Sequence, residues 1–558
     1  MGLSLLQDRM RGIMIQLQTK FSRQVDEHNV LPEYPRPSLV RTSYLNLNGR
    51  WECAFSKTPE IPLSFDLSIL VPFSPECQLS GVSRQLKPGE YLWYRRTITL
   101  AKPQQDKRIL LHFGAADQTA EVFVNRISAV RHCGGYLPFS ADITDYLQEG
   151  DNELIVRIQD ESNTSWHARG KQSLKPGGMF YTAQSGLWQT VWMEIVPVNY
   201  IEQIFYHTDY DQGLVHLKVL TQHSAPVECV ISGKDMEPIC INGMTNSELI
   251  VSLPDFHPWT PEDPFLYLVS LKSGVDRVSS YFAMRKCDIQ TAPDGTQRFF
   301  LNNKPYFQAG LLDQGYWPES LYTAPTDEAL TADILRMKKL GFNMLRKHAK
   351  IEPERFYYHC DQLGMLVWQD MVNGGSAYKH WFVTYLATLM NWNHISFSDD
   401  EKHAGLLSRL HPEGKDEFRR EITETIAFLY NHPSIVVWVP FNEGWGQFDA
   451  LAVCEQIRTL DSSRLVDHAS GWFDQKGGDI LSLHYYFLKL KFKPESKRAA
   501  ALTEFGGYSL SIPGHSCCKK VYGYKKFNST GALTYGYIDL IRQTILPAVK
   551  KGIGATVY

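Results

Sequence analysis

At five places in the sequence an apolar run ends in side chains that can do chemistry. The stretch 435–441 leads into Asn442, Glu443, Gly444 and Trp445, and 500–503 leads into Glu504, with Gly506 and Gly507 close behind. Residues 479–483 lead into His484, Tyr485 and Tyr486; 343–345 into Arg346, Lys347 and His348; 365–367 into Trp368, Gln369 and Asp370. Two carboxylates on separate segments are what glycoside hydrolysis needs. One, protonated, donates to the leaving oxygen; the other, ionised, attacks the anomeric carbon or activates water. A lone Glu after an apolar strand reads equally as a solvated strand end or an ion pair. The reading shifts when two fall at corresponding ends, with Asn442 before one and a Gly pair after the other. Competing chemistries lack their patterns: there is no H-E-x-x-H, no G-x-x-x-x-G-K-[ST] and no G-x-S-x-G. The 552–555 run has no third glycine and no dinucleotide-loop context. His348 and His484 are metal-ligand types, but the pattern supplies no third ligand, so neither a metal nor a cofactor is expected.

The elements that must carry these residues alternate. From about residue 290 the grammar is strand–helix–strand. Leu330, Ile334, Met337 and Leu340 share one face of a helix capped by Thr326 or Asp327 and stopped near Gly341. Helices are also predicted over 353–363 and 417–430. Strands are predicted at 306–309, 343–346, 365–369, 434–440, 464–467, 479–483, 500–503 and 552–557. Eight strands with intervening helices match a (β/α)8 TIM barrel, whose chemistry sits at the C-terminal ends of its strands. All five polar clusters fall at such ends. Upstream, period-two alternation between turn residues predicts two all-β units: a jelly-roll β-sandwich over 1–198, including an N-terminal extension, and an immunoglobulin-like β-sandwich over 199–289. The barrel takes 290–558. The segment 371–416, with Tyr378, Trp381, Phe382, Tyr385 and Trp392, is a long excursion after the third strand, expected to form a wall of the substrate pocket.

Composition sets the outer limits. A chain of 558 residues with 43% hydrophobic and 21% charged residues is globular and multidomain, neither disordered nor fibrous. A net charge of −3 argues against nucleic-acid or anionic-membrane partners. Aromatics reach 12%, including 13 Trp and 28 Tyr, which suits either a sugar-binding surface or a large β-rich core. The ten cysteines are scattered without a C-x-x-C pair, as expected of free thiols in a reducing cytoplasm. Asp8, Arg9 and Arg11 interrupt the N-terminal run, so no signal peptide is predicted, and no apolar run is long enough for a membrane span.

The sequence resembles glycoside hydrolase family 2, which includes β-galactosidases, β-glucuronidases and β-mannosidases. The resemblance covers nearly the whole chain. It is carried by Leu45-Asn-Leu-Asn-Gly-Arg-Trp51, Trp93-Tyr-Arg-Arg96 and Ser185-Gly-Leu-Trp188 in the first unit, and by Trp259-Thr-Pro-Glu-Asp-Pro264 in the second. In the barrel it rests on Asn431-His-Pro-Ser434, Phe441-Asn-Glu443 and Thr503-Glu-Phe-Gly-Gly507. It implies a retaining, exo-acting β-glycosidase with Glu443 as general acid/base and Glu504 as nucleophile. Asn442 would bind the sugar 2-hydroxyl. Trp438, Phe441 and Trp445 would raise the Glu443 pKa by desolvation. Tyr485, or else Tyr486, would hydrogen-bond Glu504, and Arg346 would support its charge. Asp370, His348 and His484 are candidates for sugar hydroxyls; Trp368, Trp445 and Trp472 for stacking on a ring. The glycon stays open. Gly507 stands where the β-galactosidase type has a His. No Asn-x-Lys follows the nucleophile, although Lys519, Lys520, Lys525 and Lys526 cluster there. Trp368-Gln-Asp370 looks more like the β-mannosidase pattern. A non-catalytic carbohydrate-binding protein on a glycosidase scaffold is the alternative. The expected partner is a carbohydrate, with homo-oligomerisation open. The chain stops at the end of the eighth strand, where family members carry a closing loop and helix. The seam between first and last barrel elements is therefore expected to be exposed, with reduced stability or activity.

Overall fold

The computed structural model describes residues 17–101, 105–392, 395–486, 490–516 and 521–558, without the side chain of residue 392. Residues 1–16, Cys517, Cys518, Lys519 and Lys520 lie outside the described residues.

The N-terminal unit is a β-sandwich. Its six-stranded sheet is centred on the pair Tyr91–Leu100 and Gly150–Gln159, and it faces a four-stranded sheet that includes Lys107–Phe113 and Val191–Pro197. Period-two alternation turns Trp51, Tyr94, Leu111, Phe113, Val122, Val156 and Leu187 into one shared core. A smaller sandwich of three- and four-stranded sheets follows, built around Ile204, Leu217, Cys229, Val269 and Phe282. Trp259, fully buried, ties this unit to the barrel by donating its indole N–H to the Asp361 carbonyl at 2.8 Å. The described cysteines are free thiols. Among the described residues no helix is long and apolar enough to cross a membrane.

The C-terminal unit is an eight-stranded parallel barrel. Its strands are β1 (Gln308–Asp313), β2 (Met344–Lys347), β3 (Leu366–Asp370), β4 (Ile435–Val439), β5 (Leu465–Val466), β6 (Ile480–Tyr485), β7 (Ala499–Phe505) and β8 (Ile553–Val557). β8 pairs with both β1 and β7, so the expected seam between first and last strands is instead a continuous ladder. Among the described residues the unpaired step lies between β5 and β6, where β5 is only two residues long. β1 also starts later than predicted, because 304–305 pair back onto the preceding hairpin; its end therefore falls at Asp313.

The helices α1 (Asp327–Lys339), α2 (Glu354–Leu363) and α3 (Pro412–Leu429) flank the barrel. Thr326 caps α1, its side chain accepting from the Ala329 amide. Leu330 and Ile334 are buried, but Leu340 is 69% exposed, because the helix ends before it and the residue leaves the apolar stripe. Within the barrel, Met344, Trp368, Val437, Ala501 and Ala555 fill the lower lumen beneath the polar rim.

Candidate active site

Arg346 is the hub of the rim. It is fully buried at the end of β2 and grips Asp370 of β3 with two bonds, Nε–Oδ1 at 3.0 Å and Nη2–Oδ2 at 2.9 Å. Its Nη2 also donates to Asn442 Oδ1 at 2.8 Å, and its Nη1 reaches Glu504 Oε1 at 3.4 Å. One guanidinium thus ties the ends of β3, β4 and β7, which suits its planar five-donor fork. His348 Nδ1 shares Asp370 Oδ2 at 2.5 Å. Three protein contacts thus fall on the two Asp370 oxygens and fix the residue as part of the rim.

Glu443 sits just past β4 with φ +50, in the left-handed region, followed by Gly444 and Gly446 with φ +70 and +68. Its amide donates to the Ser470 carbonyl at 2.9 Å, which fixes this sharp turn. Its Oε1 meets His484 Nδ1 at 2.8 Å, and the same nitrogen lies 3.7 Å from Glu504 Oε2. The ring of His484 can seat there because Gly471, with φ +83, carries no Cβ; one would fall 2.5 Å from Nδ1. An oxygen of Glu443, one of Glu504 and a His484 nitrogen all lie within 4.8 Å of one another. The trio has donor types that a cation accepts, and it contains only one of the two histidines singled out from sequence.

Glu504 arrives by a register shift. β6 and β7 slip between Leu483 and His484, so that His484 faces Glu504, with Leu483 opposite Leu502. Such a slip re-aims a side chain at a sheet end. Burial pushes the Glu504 carboxyl up. The charges of His484 and Arg346, with smaller contributions from His348 and Lys171, outweigh it and hold the group down at about 2. Tyr486 also hydrogen-bonds Glu504 Oε2. This is Tyr486 and not Tyr485. Side chains alternate along a strand, so Tyr485 turns outward to pack with the Phe505 and Leu540 cluster.

The aromatic expectations need correcting. Trp368 is fully buried in the lower lumen, its indole donating to Gln308 Oε1 at 2.6 Å, and cannot stack on a ligand. Trp445 is covered by Phe180 and Tyr378, at centroid distances of 5.4 and 4.8 Å. Trp472 backs the His484 ring at 5.4 Å. Trp438 and Phe441 point away from Glu443 into the helical layer, where Trp438 donates to Asp461 and Phe441 stacks on Phe418. Among the described residues of the 371–416 segment, His380 packs on the cavity-lining Phe180 at 5.5 Å, behind the cavity wall. Tyr378, Phe382 and Leu407 instead pack against the loops that carry Trp445, Trp472 and Phe473.

The cavity over the carboxylates holds about 750 Å³ and has a different lining. Glu443, Glu504, Tyr486, Tyr522 and Tyr524 come from the barrel, whereas Lys171, Phe180 and Tyr181 come from the sandwich. Tyr524 stacks on Tyr486 at 3.8 Å. Gly507 is required beside it, since a Cβ there, at φ +60, would lie 2.5 Å from the Tyr524 ring. The sandwich loop is pinned by backbone contact: the Arg169 and Gly170 amides both donate to the Asn373 carbonyl at 3.0 Å. Gly170, at φ +59, leaves no room for a Cβ, which would sit 2.5 Å from the Ala349 carbonyl oxygen. Sequence reasoning missed Lys171, Phe180 and Tyr524. The only local signal for the loop was the glycine at 170, placed between two basic residues.

Comparison with known proteins agrees with this fold. The family model "Glycosyl hydrolases family 2, TIM barrel domain" matches residues 295–544, and "Glycosyl hydrolases family 2, sugar binding domain" matches 77–192. A β-galactosidase of Thermoanaerobacter pseudethanolicus is 26% identical over 441 residues, covering 75% of this chain and 54% of its own. A β-glucuronidase of Chlorocebus aethiops is 24% identical over 450 residues, covering 71% and 63%. The chain thus spans somewhat over half the length of these relatives. A solved β-glucuronidase of an uncultured Clostridium sp. superposes with a TM-score of 0.70 at 19% identity, over 94% of this chain and 92% of that one, which shows the shared fold. A TIM barrel with paired rim carboxylates, preceded by a sugar-binding-type sandwich and matched by both models, places this chain in glycoside hydrolase family 2.

Proposed function

We propose that the protein is a retaining, exo-acting β-glycosidase with Glu504 as nucleophile and Glu443 as general acid/base. The observation that carries the reading is the approach of the two carboxylates, with an oxygen of each within 4.8 Å of the other across His484. Retaining enzymes hold their carboxyl groups about 5–5.5 Å apart, whereas inverting enzymes leave about 6.5–9.5 Å for a water. Glu443 gives its proton to the glycosidic oxygen as Glu504 Oε attacks the anomeric carbon and the aglycone leaves. The Glu443 carboxylate then takes a proton from water, whose oxygen displaces Glu504 and frees the sugar with its configuration kept.

The neighbours fit these steps. Arg346 keeps Glu504 ionised for attack. With its Oδ1 held by Arg346, Asn442 has its Nδ2 free of described partners and available to the 2-hydroxyl. His348 Nε2, buried without a described partner, is available to a further hydroxyl. The Lys171 ammonium makes no described hydrogen bond or ion pair and lines the cavity beside both glutamates, so an anionic, uronic-acid glycon is the first choice within the class. β-Galactosidase and β-glucuronidase are both represented among the relatives.

The test is a screen of aryl β-glycosides covering galactoside, glucoside, glucuronide, mannoside and arabinoside, with the product anomer read by NMR. Hydrolysis with retention, fastest on the glucuronide, is expected. An inverted product overturns the roles assigned to the carboxylates. Binding without hydrolysis of any member favours a carbohydrate-binding protein instead.

A further inference from the structure

A second cluster of chemically capable side chains lies away from the rim, where the sandwich meets α3. We propose that Cys133, His167, Glu417 and Glu421 form a zinc-type metal site that fastens the sandwich to the barrel.

Three elements from two domains converge there. Cys133 ends the sandwich edge strand Ile127–Cys133, His167 lies in the loop that leads to Lys171, and Glu417 and Glu421 are one turn apart on α3. His167 Nδ1 is 2.7 Å from Glu417 Oε2, and Cys133 Sγ is 3.9 Å from the same oxygen. All three ligand atoms lie within 4.8 Å of one another. Tetrahedral zinc, with bonds of about 2.0–2.1 Å to N and O and about 2.3 Å to S, puts its ligand atoms about 3.3–3.6 Å apart. The two measured separations bracket that range, so small side-chain rotations would close a shell around an ion.

Glu421, which is not among the three residues whose ligand atoms lie within 4.8 Å of one another, is the fourth donor we assign, to be brought in by side-chain rotation. Residues four apart share a helix face, and a Cβ on Gly134, next to Cys133, would fall 3.3 Å from Glu421 Oε1. Glu421 makes no hydrogen bond or ion pair with a described residue, while neighbouring Arg420 is engaged with Glu424 at 3.7 Å. A plain His167–Glu417 ion pair would satisfy those two groups and leave the Glu421 carboxyl without a hydrogen-bonded partner among the described residues. One thiolate, one imidazole and two carboxylates suit zinc or cobalt rather than magnesium or calcium, which prefer all-oxygen shells. Thr119 Oγ1, 3.8 Å from Cys133 Sγ, stands behind the sulfur.

Titration of the full chain with cobalt(II) alone tests the site. One equivalent is expected to bind with a thiolate-to-cobalt charge-transfer band in the near ultraviolet, and zinc should displace it. Cys133→Ser should remove the band, and Glu421→Gln should weaken cobalt binding more than about tenfold, on the scale of losing a metal-supporting group. If Cys133→Ser fails to fold, His167→Gln keeps the thiol and should weaken binding by a similar factor. Absence of the band in the wild-type chain, its survival in Cys133→Ser, or unchanged affinity in both other variants would overturn the proposal. None of these readouts depends on glycosidase activity, so they fail or succeed apart from the proposed function.

Discussion

The lower and upper halves of the barrel lumen are built by the same strands and obey opposite rules. On β3, Trp368 packs into the lower lumen beside Phe299, and two residues on Asp370 holds Arg346 and His348. On β2, Met344 joins the apolar floor and Arg346 joins the rim. The floor gains stability from area removed from water, which is non-directional and forgiving of shape-conserving change. The rim buries charges, and each is tolerable only because a specific partner meets it. Stability and chemistry are therefore separated by one step of the strand period.

The predictions probe that separation, beginning with the largest effect. Glu504→Gln should lower kcat by about 10⁴-fold or more, as loss of a nucleophile does, with the circular dichroism spectrum unchanged; residual turnover near wild type would move the nucleophile elsewhere. Glu443→Ala should cost about 10²–10⁴-fold on substrates with poor leaving groups, the usual share of general acid catalysis. It should cost far less on activated aryl glycosides, which need no proton. Equal losses on both substrates would remove Glu443 from its role.

Arg346→Met leaves Asp370 and Glu504 as buried charges without their shared guanidinium. Denaturant unfolding should show a loss of about 3–5 kcal/mol, together with a fall in kcat. Trp368→Phe, on the floor, orphans Gln308 and should cost about 1–3 kcal/mol while leaving kcat unchanged. If the floor variant lowers kcat as much as the rim variant, the two halves are not separable.

Protonation gives a milder test. Burial raises Glu504, Asp327 and Asp461, but their cationic neighbours, His484 and Arg346, Arg355 and His359, and Arg464 respectively, hold each at about 2. These carboxyls sit below their ordinary range of about 3.9–4.3. Their stabilisation is complete above that range and is lost as pH falls through about 2. The melting temperature should accordingly decline as pH falls below 4; a flat profile from pH 4 down to pH 2 would contradict the ion pairing. The smallest contrast is Tyr486→Phe, expected to lower kcat, against Tyr485→Phe, expected to leave it unchanged.

The sequence made the barrel readable because apolar runs and helical stripes repeat in order, and each polar cluster follows its run directly. Glu443, Glu504, Arg346 and Asp370 were legible for that reason. Adjacency of Tyr485 and Tyr486 in sequence hides the alternation of faces, which a strict period-two count from His484 resolves in favour of Tyr486. Trp368 was misplaced through residue type: an indole at a strand end suggests stacking, but two residues before the rim it is already floor. Lys171, Phe180 and the Cys133–His167–Glu417 cluster were not legible at all. Their partners lie hundreds of positions away, and only the docking of sandwich on barrel brings them together.

That docking has a consequence for how the protein can change. The backbone at Gly170 rests against Ala349 without room for a methyl group, which holds the sandwich in place as part of the wall of the cavity over the carboxylates. Selectivity can then drift through substitutions in a domain that performs no chemistry, while the carboxylates and their arginine stay untouched. If the proposed function holds, a barrel grafted onto a foreign sandwich would inherit the reaction but lose its choice of sugar.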